Sequence, residues 1–274
     1  MAGNPDSLIR FLLPELRVRG ALIRADGIIA EAARLHGLSD SPLVLFGQTL
    51  IGAILLLSIS KGGTRQVLQL DALDDHPSPI RRMLAEARSG AVRGYINWHE
   101  DASMRPETGH ADRLDAWMHM PVTLSTVRDL GFGQPYVSTI AHDSPYIADQ
   151  LVHYLNQSVQ IDADILLHRH SGMMIEAMPG CDDERWFNAV SAMAEIDARR
   201  LDQEAPETLL THFDALGCKI LGHDDYRYHC GCSADRLKAA LQTMPPEQLA
   251  GLRDADGRIP LSCQYCNQTY NVKV

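Results

Sequence analysis

A chain of 274 residues, 45% hydrophobic and 22% charged, has room for about two folded domains and shows none of the bias of a disordered or fibrous protein. Its formal charge of -10 argues against a nucleic-acid partner, because phosphate backbones are held by excess Lys and Arg, and it weakens attraction to an anionic membrane. The stretch MAGNPDSLIRFLLPELRVRG has no basic segment leading into an apolar run and a small-residue cleavage site, so a cytoplasmic protein is expected.

In chain order, DGIIAEAARLHGL has the apolar spacing of a helix and reaches a stop at Gly37. The most apolar run, Leu43 to Ile59, carries Gln48 and Thr49 and is shorter than the roughly 20 residues of a membrane span. Gly47, Gly52 and Ala53 would let it approach neighbours closely, which predicts a buried core helix. KGGTRQVLQLDAL predicts a turn at Gly62 and Gly63 and then a strand through Val67 to Leu70. PIRRMLAEARSG reads as a helix closed by Gly90, and AVRGYINWHE as a strand.

From about Met120 the chain is strand-rich. MPVTLSTVRDLG, QPYVSTIAH and ADILLHRHSGMMIEAMPG are β-prone, with a helical YIADQLVHYLNQ between the last two. GFGQPY lacks the third glycine of a dinucleotide loop and reads as a turn. Strands and helices come in clusters and not in steady alternation, which predicts an α+β fold over a doubly wound parallel sheet.

After Pro179 and Gly180 the texture becomes helical. DDERWFNAVSAMAEIDARRL sets Trp186, Val190, Met193 and Leu201 near one face, and PETLLTHFDALG sets Leu209, Leu210, Phe213 and Leu216 there, between Pro206 and Gly217. Helices this short must cover something, so they read as a linker packed on a neighbouring sheet. The expected division is an α+β core over 1–180, a helical linker over 181–222 and a small zinc-binding module over 223–274.

That last stretch has little apolar material but holds four of the six cysteines. A unit so small usually needs a metal or disulfides to fold, and in a reducing compartment clustered thiols point to metal or redox chemistry. Cys230 and Cys232 flank Gly231, and i and i+2 of an extended chain point the same way. Cys263 and Cys266 have the spacing of a turn that folds two thiolates around an ion. Four thiolates suit a closed tetrahedral Zn2+ site with no open position for catalysis. Acidic and basic residues balance across 223–274, so no nucleic-acid patch stands out.

The plain reading is a structural zinc knuckle. The sharper one is a redox switch, in which oxidation closes Cys230 on Cys232 and Cys263 on Cys266 and releases the zinc. Both bridges would close tiny loops, and a crosslink constrains less the shorter its loop, so oxidation would mean local unfolding. Outside this set, Cys181 and Cys218 read as ordinary semi-buried thiols, and His168 and His170 as surface histidines sharing a strand face. His229 is a possible substitute ligand beside Cys230.

The cysteine pattern, Cys230-Gly-Cys232-Ser233 and then Cys263-Gln-Tyr-Cys266-Asn267 with thirty residues between the pairs, resembles that of the redox-regulated holdase chaperones, the thirty-three-kilodalton heat-shock protein family. VRG at 18–20, AVRGYI at 91–96, DLGFGQPY at 129–136, YLNQSVQ at 154–160 and SGMMIEAMPG at 171–180 resemble core segments of that family in the same order. The resemblance implies an ATP-independent chaperone, without catalytic residues, that is quiet when reduced and zinc-bound. Oxidation would release zinc, loosen the linker and expose apolar surface to unfolded clients, with a homodimer possible on activation. Met173, Met174 and the face around Trp186 and Phe213 are client-surface candidates by apolarity alone. The competing reading is an enzyme or scaffold with a purely structural zinc module and a small-molecule or fixed-partner site in the core.

Overall fold

Leu8 and Ile9 are neighbours in sequence and both are buried, so their strand must be covered on both faces. They lie in β1 (Asp6–Leu13), which pairs antiparallel with β2 (Val18–Arg24). Leu8, Ala21 and Ile23 face one apolar core, while Ile9, Phe11, Leu13, Val18 and Leu22 face another. The computed structural model describes residues 6–60, 62–73, 76–101, 103, 112–254 and 256–273. It divides into two compact units, one ending at Tyr228 and one beginning at His229.

The first core is built around a helix pair. α1 (Asp26–His36) ends as expected at Gly37, whose φ of 61° satisfies the left-handed C-terminal turn. α2 (Asp40–Ile59) is apolar on every side and buried for most of its length; the Thr49 hydroxyl donates to the Leu45 carbonyl at 2.8 Å and so is satisfied internally. By length and composition α2 could cross a membrane, but 72% of its apolar window is buried inside the fold, as a core helix requires. A Cβ at Gly52 would stand 2.8 Å from Leu151 Cδ1, so even a methyl group there would force the Leu151 side chain to shift.

The remaining strands of the larger unit are β3 (Arg65–Asp71), β4 (Ile80–Arg88), β5 (Ala91–Trp98), β6 (Val122–Asp129), β7 (Tyr136–His142), β8 (Ala163–Leu167), β9 (Ser171–Ala177) and β10 (Lys219–Tyr228). With β1 and β2 they form one ten-stranded sheet in the order β7-β6-β3-β4-β5-β10-β1-β2-β9-β8. α3 (Ile147–Tyr154) lies between β7 and β8 in the chain, and GFGQPY is the β6–β7 turn, with Gly131 and Gly133 at positive φ. β10 joins two half-sheets, antiparallel to β1 and parallel to β5.

PIRRMLAEARSG is not a helix. It is β4, and Gly90 serves the turn into β5 instead of ending a helix. Met, Leu, Ala, Glu and Arg favour helix locally, but pairing on both sides and burial on both faces override that preference. Met83, Ala85 and Ala87 join the α2 core. On the opposite face Glu86, 3% exposed, is held by Arg65 at 3.2 Å, Arg88 at 3.0 Å and Arg93 at 3.2 Å.

The segment after Gly180 covers the other face of β1, β2 and β9. It comprises α4 (Asp183–Ala194), α5 (Arg200–Gln203), α6 (Pro206–Leu210) and a 3-10 turn at Thr211–Leu216, closed by Gly217 at φ 70°. The Asp182 carboxylate caps α4 by accepting from the Arg185 N–H at 2.9 Å. Ala189, Met193, Ile196, Leu201, Leu209, Leu210 and Phe213 pack on Ile9, Phe11, Leu13, Val18, Leu22, Met173 and Ile175. Phe213 stacks on Phe11 with centroids 5.7 Å apart. Of the apolar candidates for a client surface, Met173 is thus hidden beneath this cover, Phe213 is turned inward from the cover itself, Trp186 packs at its margin and Met174 faces the α2 core.

The expected boundary between 222 and 223 falls inside β10, and the compact units part after Tyr228. His168 and His170 sit in the β8–β9 turn and do not share a strand face. His168 Nδ1 meets Asp202 Oδ2 at 2.6 Å and His170 Nδ1 meets Asp26 Oδ1 at 3.3 Å, so each anchors the turn to a neighbouring helix.

Candidate metal centre

The second unit contains α7 (Ala234–Leu241), α8 (Pro246–Ala250) and a hairpin of β11 (Ile259–Ser262) and β12 (Thr269–Val272). Its buried apolar cluster is Leu241, Leu249, Ile259 and Val272, with Leu237, Met244, Leu261 and Tyr270 partly covered. That is a small core for a unit of this length.

Local structure brings the sulfurs together. In the β11–β12 turn the Cys263 carbonyl accepts from the N–H groups of Cys266 at 3.3 Å and Asn267 at 2.7 Å, and the Cys263 N–H donates to the Gln268 carbonyl at 3.0 Å. Asn267 takes the left-handed conformation, φ 55°, that such a turn demands and that Asn tolerates. On the other side, Ser233 caps α7 by accepting from the Arg236 N–H at 3.3 Å, and Arg236 Nη1 donates back to the Gly231 carbonyl at 2.5 Å. The Cys230-Gly231-Cys232 run is thereby fixed just before the helix.

Cys230, Cys232, Cys263 and Cys266 offer sulfurs that all lie within 4.8 Å of one another, and they form the one such potential metal-binding group among the described residues. Cys230 Sγ is 3.7 Å from Cys263 Sγ, and Cys232 Sγ is 3.3 Å from Cys266 Sγ. Tetrahedral zinc with Zn–S of about 2.3 Å would set its sulfurs about 3.8 Å apart. Both of these contacts run between the two sequence pairs, so an ion at the centre would tie them together. The donor set and its spacing fit the metal.

The electrostatics also call for a cation. Burial pushes the Cys230 thiol up, and it pushes Cys266 up as well, with hydrogen bonding from Cys232 adding to the rise. At Cys232 burial opposes ionisation, but hydrogen bonds from the Tyr270 hydroxyl and neighbouring thiols outweigh it and lower the group to about 7. Four adjacent sulfurs cannot all ionise unless positive charge enters among them. Tyr270, 3.2 Å from Cys232 Sγ, has its own hydroxyl raised to about 12 by that contact. Sequence reasoning missed Tyr270; its only signal is its register opposite Leu261, one step from the cysteine turn.

His229 is exposed and lies outside the grouping. Cys181 and Cys218 pack against the cluster under α4 to α6, and burial raises both thiols above their ordinary range.

The family model for the Hsp33 protein matches residues 6–273. This chain belongs to the Hsp33 family. Among its Hsp33 relatives, the 33 kDa chaperonin of Lactobacillus delbrueckii subsp. bulgaricus is 28% identical over 97% of this chain and 94% of its own length. The 33 kDa chaperonin of Geobacter sulfurreducens is 26% identical over 97% and 91%. The crystal structure of the Hsp33 homologue of Thermotoga maritima superposes with a TM-score of 0.80 at 24% identity, covering 97% of this chain and 94% of that one, which shows the shared α+β fold. Family and relatives place the protein among chaperones and not among enzymes.

Proposed function

We propose that this chaperone is an ATP-independent holdase of the cytoplasm, switched on by oxidation. The observation that carries the reading is the convergence of four sulfurs in a unit whose apolar core is too small to hold it alone. In the reduced state Cys230, Cys232, Cys263 and Cys266 hold Zn2+, and that ion supplies most of the fold of the second unit. Under peroxide, Cys230 joins Cys232 and Cys263 joins Cys266. In forming two S–S bonds the four thiolates lose four electrons, two peroxide molecules take up those electrons as their O–O bonds break to give four hydroxides, and Zn2+ leaves with no ligands to keep it.

Residues 223–274 act as the switch module, 181–222 as the linker and 1–180 as the chaperone core. The linker seals an apolar face: Phe11, Met173 and Ile175 are fully buried beneath Phe213, Met193 and Leu209. Loss of order after residue 228 loosens this cover, and the uncovered face meets the exposed apolar segments of unfolded clients without directional specificity. Activated copies pair as homodimers.

The test is light scattering from a chemically unfolded client diluted into buffer, with the protein either reduced and zinc-loaded or treated with peroxide at raised temperature. Suppression only after oxidation supports the switch. Equal suppression in both states would break it, and none in either would return the zinc to a purely structural role. Zinc release followed with a chromophoric chelator should track the gain in suppression.

A further inference from the structure

An open sheet has two edges, and this one treats them differently. An edge strand presents unpaired N–H and C=O groups, a template for any extended chain, and proteins blunt such edges with short strands, charges, proline, bulges or cover. β8 is guarded. It is five residues long, α3 packs against it, and the Asp164 carboxylate turns back to accept from the Ile165 N–H at 2.9 Å.

Short of its His142 end, where α3 touches it, β7 has none of these devices. It runs seven residues, YVSTIAH, with no Lys, Arg, Asp, Glu or Pro, and its register with β6 is unbroken from Val122↔His142 to Arg128↔Tyr136. Only its far end is closed, where Gln150 Nε2 donates to the carbonyls of His142 at 2.9 Å and Ser144 at 2.7 Å. Among the described residues, the backbone of 136–141 has hydrogen-bonding partners in β6 alone. Beside its open end stand Phe132, 76% exposed, Tyr136, 58%, and Val137, 69%.

We propose that β7 is a docking edge for an extended segment of an unfolded client, which adds to the sheet as a further strand. This rests on the holdase reading and names where a client engages. Only another extended backbone can match a row of unpaired ladder groups, and β-branched or aromatic side chains on it would lie beside Val137 and Thr139. The chain's charge of -10 and the exposed Asp143 just past the strand select neutral or basic segments. A second copy of this chain is a poor occupant. It brings the same charge, and a seven-residue edge falls well short of the roughly 20–30 residues a side of a stable interface.

β7 is open while the linker is docked, so a client segment docks there before oxidation, while holding a client against aggregation still needs the apolar face that oxidation uncovers; the docking test therefore does not depend on the switch. The reduced full-length protein is mixed with a short, neutral, Val/Thr/Tyr-rich peptide, and amide hydrogen exchange is followed with and without it. Slower exchange confined to 136–141, absent at β8 and lost in the doubly substituted Val137→Lys, Thr139→Lys protein, supports the proposal; both side chains are exposed, and circular dichroism checks that the variant is folded. No slowing, or equal slowing in the variant, overturns it. Slowing that grows with protein concentration in the absence of peptide, with a dimer mass in sedimentation, assigns the edge to a second copy and also overturns it. Failure of the holdase reading shows separately, as absent suppression of scattering in the oxidised protein.

Discussion

In the larger unit, α2 alone buries Val44, Leu45, Phe46, Leu50, Ile51, Ile54, Leu55 and Leu56, whereas the described residues after Tyr228 bury a cluster of Leu241, Leu249, Ile259 and Val272. At about 25 cal/mol per Å2 of apolar surface removed from water, the first is a core and the second is not. What the second unit has in its place is four converging sulfurs. On the proposed reading one region is stable whatever the redox state, and the other only while its thiols are reduced and hold a metal.

The largest test of that contrast is removal of the metal. Chelation, or Cys263→Ser, should unfold the second unit, because structural zinc contributes on the order of 10 kcal/mol or more to such small units. Hydrogen exchange should show β11 and β12 losing protection while β3 and α2 keep theirs. Protection of the hairpin without metal would erase the contrast.

Next in size is the seal between sheet and linker. Phe213→Ala removes a fully buried ring stacked on Phe11 and should cost about 3–5 kcal/mol. Binding of a hydrophobic dye to the reduced protein should rise, placing the linker between the two regions in stability. An unchanged dye signal would show that the linker belongs wholly with the core.

Glu86→Gln probes the larger unit by charge. Burial opposes ionisation of Glu86, but Arg88, Arg93 and Arg65 outweigh it and hold the carboxyl below its ordinary value of 4.5. The folded state thus keeps Glu86 ionised at a pH where the unfolded chain protonates it. Its contribution is complete above the ordinary glutamate range and is lost as pH falls through the depressed folded value. The substitution should cost about 2 kcal/mol at pH 7, reduced from a fully buried pair because the arginines are partly exposed. Denaturant titrations of both proteins at pH 7 and at about pH 3 should show the gap closing in acid.

The smallest effect should come from Ser233→Ala, which removes the cap that fixes the chain just past Cys232 and should cost about 1 kcal/mol. Competition with a chelator should then show a modest loss of zinc affinity with no change in the thermal transition of the larger unit.

The convergence of four sulfurs was the most legible feature of the molecule, because thiol spacing is a local property and Cys230, Cys232, Cys263 and Cys266 carry it in seven letters of sequence in two short runs. α2 was legible for a related reason: a run without charge has few places to go but the interior. β4 was misread since MLAEAR states a local preference that pairing with β3 and β5 overrules, and no window of the sequence contains those partners. β1 hides its period because both of its faces are covered, one by residues as distant as Phe213. Tyr270 escaped notice for want of a motif; only the hairpin register brings its hydroxyl to Cys232.

The place of β10 in the sheet has a consequence during synthesis. Both half-sheets, β7-β6-β3-β4-β5 and β1-β2-β9-β8, are encoded before residue 178, yet the strand that joins them ends at Tyr228. A nascent chain therefore exposes two unfinished inner edges until residue 228 has left the ribosome. For that interval the chaperone is itself a protein with open strands in need of a partner, and the strand that relieves it ends two residues before the first cysteine of the four-sulfur cluster, Cys230.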